Sequence, residues 1–371
     1  MRINWFKTVY VFIAIMMAAL LIQYAVQVNA GGHVWKTGDW LINYAGGFVR
    51  RGFSGAVALF IADAFSVDVK WVVFSIQASL FIAFVFLVLK EFYQFKEAKN
   101  AIFWLLSPAF IFMFWINRPS AAFRKEILIY LSLVLFLKAF SGRKVHLYYY
   151  LLGLITYICI GLSHESVIFL LPYFVFPIVH YCSQEKIEWK SLGIFTAPLF
   201  ILTMLIMFIA IKFKGSEQSI NIICESLRSY KLRETICEGA ISWLKFDIQY
   251  GYQSVVNLGY KVWVNYAFLS VLSFVPLLFL RPDRQFFIMF GCAILCISPL
   301  FIVAIDYGRW ISMICTSTIL SIIWLKPKMI TGGLQANHYI CFIYCFFWAL
   351  PNGGAQYPGN GLMGRILVSI F

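Results

Sequence analysis

The chain has 371 residues, of which 62% are hydrophobic, 19% aromatic and only 12% charged. Soluble domains carry about 25% charged residues, so a water-soluble fold, which could not cover its surface with polar groups, is excluded. The formal net charge of +14 in such a chain points to loop topology and to anionic lipids or phosphates, and not to nucleic acid.

The apolar runs are continuous rather than alternating. In lipid the backbone must be satisfied within helices or a closed barrel, and continuous runs select helices. The expected fold class is therefore all-α: a polytopic helical membrane protein over 1–371, with about eleven transmembrane helices and an interfacial helix in the first outer loop. The expected spans are 8–29, 71–89, 101–117, 127–141, 147–163, 166–182, 192–213, 262–280, 286–304, 310–325 and 337–351. Arg2 and Lys7 precede an apolar run, Val9–Val28, long enough to cross a bilayer. Further spans follow it, so it reads as a retained first helix with a cytoplasmic N-terminus. Ala25–Ala30 is a weak lookalike of a signal-peptide cleavage site.

The first outer loop covers 30–70. Within it Gly52–Val67 is apolar but short and interrupted by Gly55 and Asp63, and an interfacial helix fits it better than a span. The inner loops then fall at 90–100, 141–146, 183–190, 281–285 and 326–333, and a large outer loop at 214–261. Lys and Arg divide almost evenly between the two sides, so the N-terminal pair and the short loops carry the orientation. Of the nine cysteines, only Cys224 and Cys237 lie in a soluble loop. Two cysteines in one extramembrane loop suit a disulfide in an oxidising compartment; the alternative is two free thiols. Cys292 and Cys296 share a helix face without a His or acidic partner, which suits packing rather than metal binding.

Four charged clusters map to the outer face under this topology. The stretch 36–55 holds Asp39, Tyr44, Arg50 and Arg51 among glycines that let backbone approach a ligand. Adjacent arginines bind phosphate oxygens in forked geometry, and Asp39 is a candidate base or metal ligand. The plainer alternative is a polar loop anchored by Trp35 and Trp40. The turn 117–126 carries Arg118, Arg124, Lys125 and Glu126, either as an anion site or as helix ends in which Glu126 pairs with a neighbouring cation. The run Ser163–Ser166 places His164 and Glu165 at the membrane edge, where ionisable groups are costly and point to function. Either could deprotonate a hydroxyl; otherwise they pair with the basic residues above. Asp306 and Arg309 flank a glycine at another outer boundary, as an internal ion pair or as part of the same site. The 214–261 loop adds Lys214, Arg228, Lys231, Arg233, Lys245 and Lys261 beside aromatic residues. The sequence contains no P-loop, GxSxG, zinc spacing or dinucleotide fingerprint.

A membrane-edge pocket of this composition suits a lipid-linked diphosphate. Arg50, Arg51, Arg118, Arg124, Lys125 and Arg309 would hold the diphosphate and offset the charge of the leaving group. Asp39, His164 or Glu165 would activate an acceptor hydroxyl. The run GDWLINYAGGFVRRGFSG resembles one found in multi-span proteins encoded among bacterial surface-polysaccharide genes, and FRKE, SHES and DYGRW resemble its later landmarks. The chain is thus similar to O-antigen and capsule polymerases of the Wzy type. Its first outer loop, with an acid after span one, also resembles that of GT-C lipid-dependent glycosyltransferases.

The resemblance implies periplasmic polymerisation of undecaprenyl-diphosphate-linked repeat units in a bacterial inner membrane. It implies no metal or other cofactor, and as partners the bilayer, the lipid-linked oligosaccharide, and a chain-length regulator and flippase of the same pathway. A GT-C enzyme would instead often use Asp39 with a divalent cation, but the chain lacks a paired DD, DE or DxD after span one. A transporter or flippase for lipid-linked oligosaccharide is the competing class, although its spans are nearly charge-free and no inverted repeat is apparent. A sugar-decorating acyltransferase would need His164 to face an acyl donor. On this reading Arg51→Ala abolishes activity and leaves expression intact.

Overall fold

The computed structural model describes residues 5–96, 99–185, 189–326, 329 and 337–370. Arg2 and parts of the expected inner loops 90–100, 183–190 and 326–333 lie outside the described residues. Among those described the chain is helical almost throughout, and its one sheet pairs Trp348–Ala349 with Gly359–Asn360, antiparallel. Among the described residues seven helical stretches are long and apolar enough to cross a membrane: Trp5–Asn29, Val69–Phe95, Glu165–Gln184, Lys190–Lys212, Tyr260–Phe279, Arg284–Val303 and Tyr307–Leu325.

Four other stretches were expected to span. Two form shorter helices, α7 (Glu126–Phe140) and α8 (Leu147–Ser163). The stretch 101–117 is split into α5 (Lys99–Leu105) and α6 (Ile111–Asn117). Pro108 lacks an N–H and disfavours helix at Ser107 before it. The freed Ile111 amide donates to Thr316 Oγ1 at 3.1 Å, so the buried backbone group at the break is satisfied. The last stretch is helical over His338–Phe347 and then becomes the first strand.

The chain divides into two compact units. Unit 1 is Met1–Leu20, Phe86–Ala122 and Ile248–Phe371; unit 2 is Leu21–Val85 and Phe123–Asp247. In unit 1, α16 (Tyr307–Leu325) is the core element, and α6, α13 (Tyr260–Ser273) and α14 (Arg284–Ile297) pack on it. It buries Ser312, Thr316, Ser317, Thr318 and Ser321, small polar residues that let helices approach closely in lipid.

In unit 2, α7 packs against α8 and α9 (Leu171–Gln184), and α10 (Trp189–Lys212) against the same pair. The outward faces are apolar, with Ile194, Ile201, Phe208 and Ile211 of α10 all exposed, a surface suited to lipid and not to water. The stretch expected at the interface forms α3 (Phe53–Phe65). It turns Ser54, Gly55, Ala58 and Ala62 inward toward α8 and leaves Phe60 and Phe65 exposed.

Candidate functional site

Unit 2 gathers four of the charged segments singled out in the sequence. After Trp5–Asn29, Gly31 and Gly32 take φ of 95° and 93° and turn the chain into the short helix α2 (Lys36–Trp40). His33 caps it, its Nδ1 accepting from the Trp35 and Lys36 amides at 3.1 and 3.3 Å. Lys36, only 2% exposed, donates to Gln27 Oε1 at 3.1 Å and lies 5.2 Å above the Tyr24 ring. Burial brings its ammonium down to about 8.

Gln77 joins this segment to the next cluster. Its Nε2 donates to the Lys36 carbonyl at 3.0 Å and to the Phe123 carbonyl at 2.6 Å, while its Oε1 accepts from the Tyr24 hydroxyl at 2.6 Å. The sequence reading did not name Gln77, although a polar residue inside an apolar span is a signal by itself.

The two positive-φ residues beside the arginines are not glycines: Arg51 has φ 67° and Phe123 has φ 62°. Such conformations cost about 1–3 kcal/mol each and persist only where their surroundings hold them. Both carbonyls are held, that of Phe123 by Gln77 and that of Arg51 by Lys125 Nζ at 3.2 Å.

The glycines of 36–55 serve backbone packing. A Cβ on Gly46 would collide with the Ser219 carbonyl, and one on Gly55 with the Ile42 carbonyl. A Cβ on Gly38 would come within 3.0 Å of the Ile236 carbonyl. The segment 214–247 thus lies directly on the first loop. Arg233 N donates to the Gly31 carbonyl at 3.0 Å, Ala240 N to that of Val34 at 3.2 Å, and Arg50 N to that of Phe213 at 2.7 Å. Cys224 and Cys237 in this segment are disulfide-bonded.

The charged side chains meet in the space so formed. Arg51 donates Nε and Nη2 to the two oxygens of Glu165 at 2.7 and 2.6 Å. Arg50 Nη1 lies 3.7 Å from Glu165 Oε1, and its Nη2 donates to the Phe246 carbonyl at 3.0 Å. Lys125 Nζ is 3.6 Å from Asp39 Oδ1. The Arg124 guanidinium stacks over Trp35, 5.5 Å from the ring centre. His164 Nε2 is 3.5 Å from Glu126 Oε1, and its Nδ1 is 2.8 Å from the Ser166 hydroxyl. Neither Glu126 as a partner of His164 nor Ser166 was anticipated from the sequence.

Burial favours the neutral acid at Asp39, but Lys125 and Arg124 outweigh it and hold the carboxyl at about 2. Burial brings Lys125 down to about 8 against the opposing pull of Asp39. Burial, and then Arg51, bring His164 to about 4, so its imidazole is neutral at pH 7.

Several buried polar atoms of the cluster have no hydrogen-bond partner among the described residues. Both oxygens of Asp39, which is 1% exposed, lack a hydrogen-bond partner, as do Nε of Arg50 and Nε of Arg124. Buried polar groups are nearly always satisfied, so these atoms are available to a ligand or to water. A divalent cation does not fit there. The charged neighbours of Asp39 are cations, and among the described residues no group of three or more His, Cys, Asp or Glu could hold a metal ion.

Arg118 and Arg309, expected from the sequence to share the anion site, belong to unit 1. Arg309 is 6% exposed and paired with Asp306 Oδ2 at 2.6 Å, the internal ion pair that the sequence left as an alternative. Compared with known protein families, curated proteins and solved structures, the chain matches none.

Proposed function

We propose that the cluster in unit 2 transfers a glycosyl group from a polyprenyl-diphosphate-linked sugar at the non-cytoplasmic membrane face, polymerising repeat units of a bacterial surface polysaccharide such as O antigen or capsule. One observation carries this reading: Asp39 is a buried carboxylate among cations, ion-paired with Lys125 through Oδ1 but with no hydrogen bond to either oxygen. Sugar hydroxyls supply the missing donors. The open Nε groups of Arg50 and Arg124 supply donors for diphosphate oxygens.

In the proposed reaction the acceptor hydroxyl oxygen bonds the anomeric carbon while the bond from that carbon to the diphosphate oxygen breaks. The diphosphate leaves with the electron pair, and Arg50, Arg124 and Lys125 offset the charge that develops on it. A carboxylate held at about 2 is a weak base. Asp39 therefore orients the hydroxyl first and takes its proton late, once the oxygen has begun to bond carbon, then passes it to water. Glu165 holds the Arg50–Arg51 pair in place. Neutral His164 bridges Ser166 and Glu126 and fixes the turn behind the carboxylate. No step is routed through a metal.

This reading retains the sequence-based topology: about eleven spans in the bacterial inner membrane, a cytoplasmic N-terminus and α3 lying in the outer interface. The partners are the bilayer, an undecaprenyl-diphosphate oligosaccharide, and the chain-length regulator and flippase of the same pathway. The test is deletion of the gene, complementation with wild type or Asp39→Asn, and analysis of the polysaccharide ladder. A polymerase predicts loss of long chains with single repeat units retained, in the deletion and in the variant alike. Loss of every repeat unit assigns the chain instead to single-sugar transfer or to flipping. An unchanged ladder overturns the proposal.

A further inference from the structure

Unit 1 contains a second group of donors that the reaction above does not use. Arg118 follows α6, and Arg365 lies on the helix Leu362–Ile370 beyond the short hairpin. Gly359 of the hairpin admits the Arg118 side chain, because a Cβ there would collide with Nη2. Asn117, 3% exposed, accepts from Arg365 Nη2 through Oδ1 at 2.9 Å, and its Nδ2 has no partner. Arg118 Nε is also buried and unpartnered.

The two guanidiniums are close enough to repel. Among the described residues neither forms an ion pair with a carboxylate. The acid Asp306 lies, like Arg118, within electrostatic range of the Tyr266 hydroxyl, but it is paired with Arg309.

The buried Asn117 amide has an open donor, and the partly exposed Arg118 and exposed Arg365 stand beside it without an anion; an oxyanion supplies both the missing acceptor and the negative charge. Forked guanidiniums match tetrahedral oxyanions. The helix carrying Arg365 exposes Leu367 and Val368, as a segment lying at a lipid boundary does. We propose that Asn117, Arg118 and Arg365 form a phosphate-binding site in unit 1, for a phosphate group presented by a lipid or free in solution.

Labelling of the full-length protein with phenylglyoxal, read by peptide mass spectrometry, tests this. In maltoside detergent, inorganic pyrophosphate at about ten times its Kd is expected to slow modification of Arg118 and Arg365 by about tenfold. Arg228, exposed and paired with Glu225, is expected to react at an unchanged rate. In nanodiscs, phosphatidylglycerol is expected to protect the same two residues, whereas galactosyldiacylglycerol, which has no phosphate, is not. Protection by pyrophosphate identifies free phosphate as sufficient. Protection by phosphatidylglycerol alone identifies a lipid headgroup, and either result supports the site. Asn117→Ala keeps both arginines and is expected to weaken protection. Equal rates under all conditions overturn the proposal, and so does equal slowing at Arg228.

Discussion

Both oxygens of Glu165 are held by one guanidinium, that of Arg51, at 2.6 and 2.7 Å. The same arginine has a left-handed backbone and offers its carbonyl to Lys125, so one residue ties 163–166 and 123–126 to the first loop. Its strained conformation is over-determined from two sides, as strain at a working site must be.

Replacing Arg51 by Ala therefore does more than remove a charge. It leaves Glu165 buried without its bidentate partner, with only Arg50 at 3.7 Å. Breaking a buried pair costs about 3–5 kcal/mol; Arg51 is 27% exposed, so a value of about 3 kcal/mol is expected. The variant is expected to melt earlier in detergent and to lose the proposed polymerisation, whereas the sequence alone suggested loss of activity with expression intact. Arg51→Lys keeps one contact and is expected to recover part of the stability without the activity. A fully active, fully stable Arg51→Ala protein would remove this residue from the site.

Stability in acid should report on His164. Its folded value of about 4 lies below the ordinary 6.5, so the neutral imidazole is favoured in the folded state. As the pH falls from about 6.5 to about 4, the unfolded chain takes up the proton first and stability declines, by on the order of 3 kcal/mol. Asp39, held at about 2, is a depressed acid. Its contribution is present above its ordinary value of 3.8 and is lost only as the pH falls through about 2. Burial, and then Lys36, bring His33 to about 4 as well, so melting temperature measured from pH 7 to pH 4 is expected to drop in wild type and to drop by about half as much in His164→Gln. An unchanged slope in the variant would assign the drop to other groups.

The continuous apolar runs made the helical membrane class legible, because lipid leaves the backbone few other solutions. The charged segments were legible for the same reason, since ionisable groups at membrane edges are conspicuous. How those residues pair was not. Glu126 looked like a partner for its neighbours Arg124 or Lys125, but it meets His164 from another segment. The glycines around Arg50 suggested ligand approach, whereas Gly38 and Gly46 make room for the backbone of 214–247 and Gly55 for that of Ile42. A one-dimensional pattern marks a close approach without naming what approaches. Gln77 was hidden for a different reason: one polar residue in a span looks tolerable until its three partners are known.

The Cys224–Cys237 bond cross-links the segment 214–247, which contacts the loop bearing Asp39 through Arg233 on Gly31 and Ala240 on Val34. Closing a loop of this size contributes about 3 kcal/mol. Reductant is expected to lower the melting temperature of wild type and, under the proposed function, to reduce polymer length, and the Cys224→Ser, Cys237→Ser double variant is expected to be low in both and indifferent to reductant. A double variant matching oxidised wild type would show that the bond does not support the site.

Two glycine-to-alanine substitutions separate backbone packing from simple helix propensity. At Gly193, in α10, an added Cβ meets nothing within 4 Å, and alanine should gain up to about 1 kcal/mol as the better helix former. At Gly55, in α3, the Cβ would collide with the Ile42 carbonyl and come within 2.7 Å of the Leu41 carbonyl carbon. Backbone cannot swing aside as a side chain can, so the cost is at least the 1–3 kcal/mol typical of overpacking. The displacement falls on 41–42, directly after the helix that carries Asp39. Gly55→Ala is therefore expected to lower both melting temperature and activity, and Gly193→Ala neither. Equal behaviour of the two would mean that α3 does not hold the first loop in place, and that Asp39 is positioned by Gln77 and the disulfide-bonded segment alone.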